Sequence, residues 1–577
     1  MRIGSARHLA AGLIVVTCLP LLVGAIRVIA HDAPGPGGDL SLIELRVRDV
    51  GGPDTPLVGS YQRFGWNQPG PAWLWVLAVP YRLAGSRYTG LALGALAANA
   101  AAVAAIGVVA WRRGGRLGVA WAMAVTGLAM AGLGAGWLSD PWEPSVSVLL
   151  LGALAMLGWD VIVGGRFTIV AFGLLATLLL QMYTALAPVT VALVAATAAG
   201  RWWRARRSEP ARDDRTDAAR AGSLSAPLAV TAGLVVVAWL PALVEEAVHT
   251  SGNLWRMYDF FRTPRPTLGL ADAVRAVAIE LGPAAQWIGN GPRLVSFTSV
   301  IDVRGAPFLP LGFVALAVAT VAAARRRHPA VGLGALALVA TGAVTAGLAR
   351  LVDPPFTWTV APTLFVGAFA WLAAGWCAWV AAPEDWRRRA APVCTGLLAA
   401  AVAGLAVANG LAAARADDGP APLSPTRTVR ALARQALPTL RAVDGPVLVS
   451  SEVAGRDLLL DQLGPEDLVL ALERAGLPTR VARNLDFRYG RRRARPAEAV
   501  AAVRLVRAEA PVRTGWSRLA TVDPLTPAQR ARVLRLDAVL SRRRARYGPD
   551  HPRTQEAFLD LLALPRSPAL ALDWRRR

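Results

Sequence analysis

The sequence contains no lysine, so all 62 of its basic residues are arginine, and they outnumber 39 acidic residues to give a net charge of +23. Only three cysteines occur, Cys18, Cys377 and Cys394, and all lie in apolar stretches, which excludes a disulfide framework and a cysteine-based metal site. Charge is also missing from long runs of Ala, Leu, Val and Gly. A soluble cytosolic enzyme, a fibrous protein and a disordered chain are therefore excluded.

The chain does contain a series of apolar stretches of the length that crosses a bilayer. The first, Leu9–Ala30, is too long for the core of a signal peptide and has no convincing cleavage site, so we predict a retained anchor. Eleven spans are predicted in all, at residues 9–30, 87–111, 117–138, 145–163, 167–184, 187–203, 223–246, 308–324, 329–350, 358–382 and 391–413.

Arginine clusters between these spans fall on one side of the membrane when all eleven are threaded in order. The positive-inside rule makes that side cytoplasmic, so the N-terminus is predicted inside and the region after residue 414 outside. Clusters next to anionic headgroups anchor a protein to the lipid bilayer, which accounts for the basic excess without a nucleic-acid partner. The clusters are Arg112–Arg116, Arg201–Arg220, Arg325–Arg327 and Arg387–Arg389.

The composition changes after Ala416 from apolar to charged, and a Pro-rich linker follows. Two apolar runs flank a helical pattern there, which predicts a βαβ-like unit, with strands at Pro446–Ser450 and Pro478–Ala482 and a helix at Leu458–Ala475. Further on, Thr526 and Pro527 form an N-cap and N1 pair for a helix that ends near Arg544. No nucleotide-binding loop or metal-ligand spacing occurs in this region, so its role stays open.

These patterns predict a mostly α-helical, polytopic membrane protein with a small extracytoplasmic α/β domain. The membrane domain is predicted to span residues 1–414 and to include a long external loop at 31–86. The α/β domain is predicted to span residues 415–577.

The first external loop begins with an acidic, amphipathic segment. Its apolar residues Leu40, Ile43, Val47 and Val50 have helical spacing, which predicts a short helix at the membrane surface. Asp39 is suited to cap this helix, and Glu44 can pair with Arg48 one turn later. The alternative is a solvated surface helix whose charges only keep it at the interface.

A second polar segment follows directly, at Gly59–Pro71. Its glycines and prolines predict a chain reversal that brings together Tyr61, Arg63, Trp66, Asn67 and Gln68. Such a set could line a site for a polar ligand, with Arg63 for a phosphate, Trp66 for stacking, and Asn67 and Gln68 for hydroxyl groups. The alternative is an interfacial Trp/Tyr belt with a turn.

Three more polar elements fall on the same predicted external face. They contribute Asp140 and Trp142 from a turn between spans, Gln181 and Tyr183 from the outer end of a span, and Glu245 from the segment Trp239–Asn253. Each is a weak signal alone. Their convergence on one face predicts a ligand site there.

With these segments, the chain resembles the GT-C class of polytopic glycosyltransferases, and more narrowly an actinobacterial group of GT-C-like membrane proteins. The shared features are a first span, a long external loop with an acidic residue near its start, many further spans and a C-terminal external domain. The matching segments are Glu44–Val50, Gly65–Pro71, Asp140–Trp142 and Trp239–Asn253. The sequence departs from the group at Gln68, where a histidine is common, and at Asp140, where an asparagine is common.

The resemblance implies a transferase that moves a sugar from a polyprenyl-phosphate donor to a cell-envelope glycan or lipid acceptor on the outer face. An inverting transferase needs one carboxylate to deprotonate the acceptor hydroxyl, and Glu44 is our first choice, with Asp39 or Asp49 as alternatives. Arg46, Arg48 and Arg63 are then candidates for the lipid phosphate, and Tyr61, Trp66 and Asn67 for the sugar.

Asp39, Glu44 and Asp49 also offer the oxygen ligands that divalent cations prefer. Many members of the class work without a metal, so we expect no metal ligand and no other cofactor.

Two functions compete with transfer. A transporter or lipid-linked-sugar flippase would carry paired ionisable groups near the bilayer midplane, which is nearly free of charge in this sequence. A non-catalytic cell-envelope scaffold would use its arginine-rich C-terminal region, which is densest at Arg488–Arg495, to bind an acidic polymer.

Overall fold

The computed structural model describes residues 2–32, 35, 37–166, 168–207, 214–283, 285–288, 309–352, 356, 358–416, 425–453, 465–548, 553–554, 557 and 569–577, without the side chains of residues 2–6 and 214–224. The chain forms two compact units. We call Met1–Asp32 with Leu57–Asp417 the membrane unit, and Ala33–Pro56 with Asp418–Arg577 the C-terminal unit.

This division differs from the predicted one in the placement of residues 33–56 and, by three residues, at the second boundary. Residues 33–56, which the sequence analysis kept with the membrane domain, pack within the C-terminal unit. The physical reason is charge, because Arg474 binds Glu44 and Arg493 binds Asp49.

The membrane unit consists of helices and one antiparallel hairpin, formed by β1 (Tyr61–Gln62) and β2 (Trp66–Asn67). Helices are numbered along the whole chain, and α2 (Asp39–Asp49) belongs to the C-terminal unit. The helices of the membrane unit are α1 (Arg2–His31), α3 (Ala72–Leu83), α4 (Tyr88–Leu133), α5 (Ala135–Ser139), α6 (Glu143–Ile162), α7 (Thr168–Met182), α8 (Ala187–Arg207), α9 (Asp214–Val248), α10 (Asn253–Arg262), α11 (Leu270–Glu280), α12 (Leu311–Arg325), α13 (Val331–Ala349), α14 (Ala361–Ala381) and α15 (Glu384–Arg415).

Eight helices in the described part of the chain are long and apolar enough to cross a membrane, and α7 and α12 are shorter apolar helices. Every predicted span coincides with one of these ten, and α4 accounts for two of them. The polytopic helical class is therefore confirmed, whereas the count of eleven crossings stays a prediction.

The 46-residue helix α4 is two helices joined at Gly115, whose φ of 60° and ψ of −148° are not helical. A straight helix of this length would extend about 69 Å, more than twice the hydrocarbon thickness. The chain instead folds back, since a Cβ placed on Gly118 would lie 2.8 Å from the carbonyl oxygen of Ala110. The reversal carries Arg112, Arg113 and Arg116, as the predicted pair of spans requires.

Helix α6 lies at the centre of the membrane unit and packs against α4, α7, α8, α13 and α14. The apolar 18-residue stretch of α6 is 89% buried, whereas that of α9 is 6% buried. A helix that is apolar on every side suits either the protein core or the lipid. Here α6 fills the core, and α9 presents its apolar residues outward.

One buried carboxylate ties α6 to the bend of α4. Asp160 is fully buried, lies 3.1 Å from Arg112, pairs with Arg113 and accepts a hydrogen bond from the Thr168 hydroxyl. A buried carboxylate is tolerated only when it is paired in this way. The cluster therefore fixes three helices at the end of the bundle that we predict to be cytoplasmic.

The C-terminal unit contains α2, four further helices and a five-stranded sheet in its described residues. The helices are α16 (Pro425–Arg441), α17 (Glu466–Arg474), α18 (Asp486–Tyr489) and α19 (Pro527–Tyr547), and the strands are β3 (Val447–Ser451), β4 (Thr479–Arg480), β5 (Ala501–Arg507), β6 (Ser517–Val522) and β7 (Leu570–Arg576). The strand order is β4-β3-β5-β7-β6. Strand β3 is parallel to β4 and β5, and β7 is antiparallel to β5 and β6.

The predicted βαβ-like unit is present as β3, α17 and β4, although residues 458–464 of its predicted helix lie outside the described residues. Thr526 caps α19 with a reciprocal hydrogen bond to Gln529, as its position predicts. Strands β5 and β7 were not predicted because each contains a charged residue that is buried. Arg504 and Asp573, 2% and 0% exposed, pair at 2.8 Å between these strands.

We expect Asp160→Asn to destabilise the membrane unit by about 1–3 kcal/mol, because the fully buried side chain loses its charge-assisted bonds to Arg112 and Arg113. Thermal unfolding in detergent micelles would show a lower Tm. Glu384→Gln is the control, since Glu384 and its partner Arg388 are 63% and 74% exposed, and it should leave Tm unchanged. Equal Tm values for the two variants would contradict a structural role for Asp160.

Candidate functional site

The hairpin of the membrane unit is extended by two backbone hydrogen bonds beyond its strands. Gly59 N–H donates to the Gln68 carbonyl at 3.0 Å, and Gln68 N–H donates to the Ser60 carbonyl at 2.8 Å. Gly65, with a φ of 89°, makes the turn that reverses the chain. The predicted reversal in Gly59–Pro71 is therefore present, and it sets the direction of every side chain in this segment.

The side chain of Gln68 fastens the hairpin to the turn between α7 and α8. Its Oε1 accepts hydrogen bonds from the Thr184 backbone N–H at 2.9 Å and from the Thr184 hydroxyl at 2.8 Å. Gly70 N–H donates to the Gln181 carbonyl at 3.2 Å, and the Tyr183 hydroxyl donates to the Trp358 carbonyl at 3.2 Å. The amide of Gln68 thus acts as a buried connector.

A reciprocal pair of bonds joins Asn67 to Asn253 at the start of α10. The Asn67 N–H donates to Asn253 Oδ1 at 2.6 Å, and Asn253 Nδ2 donates to the Asn67 carbonyl at 2.9 Å. Glu245 accepts the Asn253 N–H at 2.8 Å, and Glu246 accepts the Leu254 N–H at 2.8 Å. The two glutamates therefore cap the first turn of α10, where helix amides need acceptors.

On its other side, the hairpin contacts the start of α6. The Ser60 hydroxyl donates to the carboxylate of Glu143, which is 3% exposed. Asp140 accepts the Trp142 N–H at 3.0 Å and the Ser145 hydroxyl at 2.8 Å. Both carboxylates lie at the N-terminal end of α6, where they oppose the helix dipole favourably.

Aromatic rings border these polar groups. Trp66 packs against Phe260 at 5.8 Å between ring centroids, and Trp142 packs against Trp358 at 5.7 Å. Trp358 in turn stacks on Phe356, whose ring lies 5.9 Å from the Arg63 guanidinium. We call the whole set the hairpin cluster: Ser60, Tyr61, Arg63, Trp66, Asn67, Gln68, Asp140, Trp142, Glu143, Gln181, Tyr183, Thr184, Glu245, Asn253, Phe356 and Trp358.

The structure thus brings together all ten candidate ligand residues that lie in the membrane unit. Those whose side chains are buried are Trp66, Asn67, Gln68, Asp140, Gln181 and Tyr183, whereas Tyr61, Trp142 and Glu245 are partly exposed and Arg63 is exposed. The buried amides and carboxylates form hydrogen bonds with other groups of the protein. Accessible groups are therefore concentrated at Tyr61, Arg63 and Trp142.

The candidate carboxylates lie on α2, in the C-terminal unit. Glu44 is 1% exposed, and its two oxygens accept hydrogen bonds from Nε and Nη2 of Arg474, the first at 2.8 Å. Asp49 is 7% exposed and accepts from Arg493 at 2.7 and 3.1 Å. Asp39, in the first turn, is exposed.

The two candidate arginines of α2 differ in their surroundings. Arg46 lies 3.7 Å from Asp49, and its burial lowers the pKa of the guanidinium to about 10. Gly490 makes room for it, since a Cβ there would lie 2.1 Å from Arg46 Nη1. Arg48 is partly exposed.

Burial and pairing shift several pKa values in the C-terminal unit. Burial raises the pKa of Glu473, but hydrogen bonds and charge from Arg493 and the charge of Arg492 outweigh it, so the net pKa lies below the ordinary value. For Glu466, burial dominates over the charge of Arg488 and raises the pKa to about 7. The unit therefore contains carboxyl groups that titrate on both sides of the usual range.

Among the described residues, no group of three or more His, Cys, Asp or Glu side chains is arranged to hold a metal ion.

Several residues of these networks were not among the predicted candidates. Ser60, Glu143, Thr184 and Asn253 belong to the hairpin cluster. A polar residue beside a predicted helix start is the signal that could have selected Glu143 and Asn253. Arg474 is 430 residues from Glu44 along the chain, and no local pattern relates the two. Arg493 lies in the run Arg488–Arg495, which the sequence analysis considered as a surface for an acidic polymer, yet it is fully buried.

We expect Gly59→Ala to destabilise the hairpin by about 1–3 kcal/mol, as overpacking does. The new Cβ would lie 2.7 Å from both the Gln68 Cβ and the Gly70 carbonyl oxygen. Gly136→Ala is the matched control, because nothing lies within 4 Å of its Cβ. Thermal unfolding in detergent should lower Tm for the first variant only, and a shared Tm would contradict this packing.

The C-terminal unit should become more stable as pH falls from 8 to 5.5. Folded Glu466 holds a proton up to about pH 7, whereas the unfolded carboxyl holds one only up to about 4.5, so the folded state binds more protons in this window. Below that window, protonation of Glu473, whose folded pKa is lowered, should reverse the trend. Hydrogen exchange of the β3 and β5 amides, measured as a function of pH, reports both the rise in stability from pH 8 to 5.5 and its reversal below that window. Glu466→Gln should remove the change in stability between pH 8 and 5.5. A wild-type stability that does not change over this range would refute the raised pKa of Glu466.

Comparison with known proteins gives a fold but no close relative. No protein-family model matches the sequence, and no curated protein does. The crystal structure of ArnT from Cupriavidus metallidurans bound to undecaprenyl phosphate is similar at a TM-score of 0.50 and 14% identity, over 86% of this chain and 93% of that one. The apo structure of the same ArnT gives 0.48 and 15% over the same shares.

At this identity, the likeness to ArnT, a GT-C glycosyltransferase, concerns the fold alone. It covers 86% of this chain, and it agrees with the resemblance seen in the sequence. The chain therefore has the fold of the GT-C membrane glycosyltransferases.

Proposed function

We propose that this protein transfers a sugar from a polyprenyl-phosphate donor to a cell-envelope acceptor. The observation that carries the proposal is the fold shared with ArnT over 86% of the chain. The ArnT crystal contains undecaprenyl phosphate, which is the lipid that a polyprenyl-phosphate sugar leaves behind once its sugar is transferred. The identity of the sugar, hexose or pentose, and of the acceptor is not part of the proposal.

The proposed reaction takes place on the extracytoplasmic face. The four arginine clusters support this orientation, because the positive-inside rule keeps them, and with them the N-terminus, in the cytoplasm. The bend of α4 agrees with the rule, since it places Arg112, Arg113 and Arg116 at one end of two spans. The acidic segment after α1 then faces outward.

Geometry favours Asp39 over Glu44 as the catalytic base. A base needs a carboxylate oxygen that an acceptor hydroxyl can approach to hydrogen-bond distance. Both oxygens of Glu44 are bound by Arg474 and both of Asp49 by Arg493, and both residues are nearly inaccessible. Asp39 is exposed in the first turn of the same helix. The sequence analysis placed Glu44 first, because the burial of Glu44 and its pairing with Arg474 leave no local pattern in the sequence.

In the proposed step, Asp39 accepts the proton of the acceptor hydroxyl. The oxygen of that hydroxyl attacks the anomeric carbon of the donor. The bond from that carbon to the phosphate oxygen breaks, and its electron pair leaves with the polyprenyl phosphate. Because the transition state resembles an oxocarbenium ion and the leaving group is a stable anion, cationic groups suffice to assist departure. No acid partner is needed.

Arg48 and Arg63 are the proposed cationic groups. Arg63 is exposed, whereas Arg46 lies beside Asp49 and its burial lowers the pKa of its guanidinium. Tyr61 and Trp142 offer accessible rings for stacking on a sugar. The buried members of the hairpin cluster are proposed to hold Arg63, Tyr61 and Trp142 in place. The proposal involves no metal, and the absence of a cofactor stays a prediction.

We expect Asp39→Asn to lower transfer at least about 100-fold, as loss of a general base does. The assay incubates membranes with radiolabelled polyprenyl-phosphate hexose or pentose and measures label transferred to envelope material. Asp54→Asn is the control, since Asp54 lies in the same segment beyond the end of α2.

The control should retain wild-type transfer at equal expression. Full activity in Asp39→Asn would remove Asp39 from the mechanism. No transfer by the wild type from either donor would reject the transferase and favour a flippase or scaffold.

A further inference from the structure

We propose that the C-terminal unit is the positioning frame for the acidic helix α2, and that Asp467, Arg474 and Arg493 are positioning residues for Asp39. This inference rests on the proposed function, since it assigns the C-terminal unit a role in the same reaction. The argument starts from an 11-residue helix that is too short to be stable by itself in water. Its conformation must therefore come from what it packs against.

The first contact fixes the turn that carries Asp39. Asp467 Oδ1 accepts hydrogen bonds from the Gly38 N–H at 3.1 Å and from the Ser41 hydroxyl at 2.6 Å. Its other oxygen accepts from the Thr426 hydroxyl at 2.6 Å. Asp467, which is 6% exposed, therefore binds the residue before Asp39 and the residue two positions after it, and supplies the N-terminal cap that α2 lacks in its own sequence.

The chain can enter this contact only because residue 37 is glycine. Its φ is +94°, and a Cβ there would lie 2.2 Å from the Thr426 hydroxyl oxygen and 2.8 Å from Asp467 Oδ1. Glycine thus permits both the backbone conformation and the close approach. The direction in which the chain enters α2 is set by the C-terminal unit.

The second contact holds the middle of the helix. Arg474, at the end of α17, forms a two-point ion pair with Glu44, and such planar pairs fix orientation as well as distance. Around Glu44, the residues Leu42, Ile43 and Leu45 are each 2% exposed or less. Rotation of the helix about its axis would break the pair and expose these apolar side chains.

The third contact holds the last turn. Arg493 is fully buried and bridges Asp49 to Glu473, with Nε 2.7 Å from Glu473 Oε1 and Nη1 2.7 Å from Asp49 Oδ2. Burial alone would lower the pKa of Arg493, but its bonds to these two carboxylates raise it above the ordinary value. Breaking such a network costs several kcal/mol, because it leaves a buried charge unpaired.

The three contacts lie at the start, middle and end of α2, which leaves the helix no freedom to slide or turn. Asp39 is exposed at the start of the helix, whereas Glu44 and Asp49 are nearly inaccessible. This pattern suits a helix whose first residue does chemistry and whose other carboxylates serve as attachment points. A misplacement of about 1 Å can cost about 100-fold in rate, so loosening α2 should act on kcat.

The test is a charge exchange in the full-length protein between Glu44 and Arg474. Glu44→Arg alone and Arg474→Glu alone each place like charges in contact, and each should lower kcat about 100-fold while the KM for the polyprenyl-phosphate donor changes little. The double variant restores opposite charges and should recover at least about ten-fold in kcat. Arg513→Glu, at an arginine 63% exposed in the same unit, is the control and should leave kcat unchanged.

Hydrogen exchange of the α2 amides in the same variants reports docking independently of activity. Protection should fall in each single variant and return in the double. Recovery of kcat in the double variant would show that position 44 needs no carboxylate, so Glu44 positions the helix. A double variant that regains protection but stays inactive, or single variants with wild-type kcat or protection, would overturn the inference. An inactive wild type would reject the proposed function, and the exchange data would still decide whether Arg474 docks the helix.

Discussion

The two-point pair between a guanidinium and a carboxylate is the interaction on which the C-terminal unit depends. Arginine is the only strong cation in this chain, and its planar fork binds both oxygens of a carboxylate through two parallel N–H bonds, whereas an ammonium group acts as a point charge. The unit uses it between helices, where Arg474 and Arg493 bind α2. Inside the sheet, Arg504 and Arg518 each bind one oxygen of Asp573. Such pairs add little net stability in the interior, but they specify which segments meet.

The hairpin cluster follows a different rule, because neutral amides and capped helix ends dominate it. Asn67, Gln68 and Asn253 bind backbone groups, while Glu245, Glu246 and Asp140 accept from the first turns of helices. Hydrogen-bonded networks of this kind hold a site rigid. Rigid support beneath a few accessible rings and one exposed arginine suits a surface that orients a ligand.

Hydrophobic patterning predicted the helices of the membrane unit, because a run of about 20 apolar residues is an almost unambiguous signal. It also predicted the βαβ-like unit and the cap at Thr526. Strands β5 and β7 escaped because Arg504 and Asp573, which pattern analysis takes as exposed, pair with each other in the interior. The hairpin could be predicted from Gly65 and its neighbours. The binding of Glu44 by Arg474 could not, since contacts at such separation leave no local pattern.

The path of the chain gives this protein an unusual order of assembly. Residues 33–56 are translated early, yet they belong to a unit whose remaining residues begin at 418. At about 5–20 residues per second, Glu44 waits roughly 20–90 seconds before Arg474 leaves the ribosome. During that interval an acidic, partly apolar segment stays without its binding surface while the membrane helices insert. Any ribosome stalling, nonsense mutation or proteolysis that removes the end of the chain also removes the support of a helix made near its beginning.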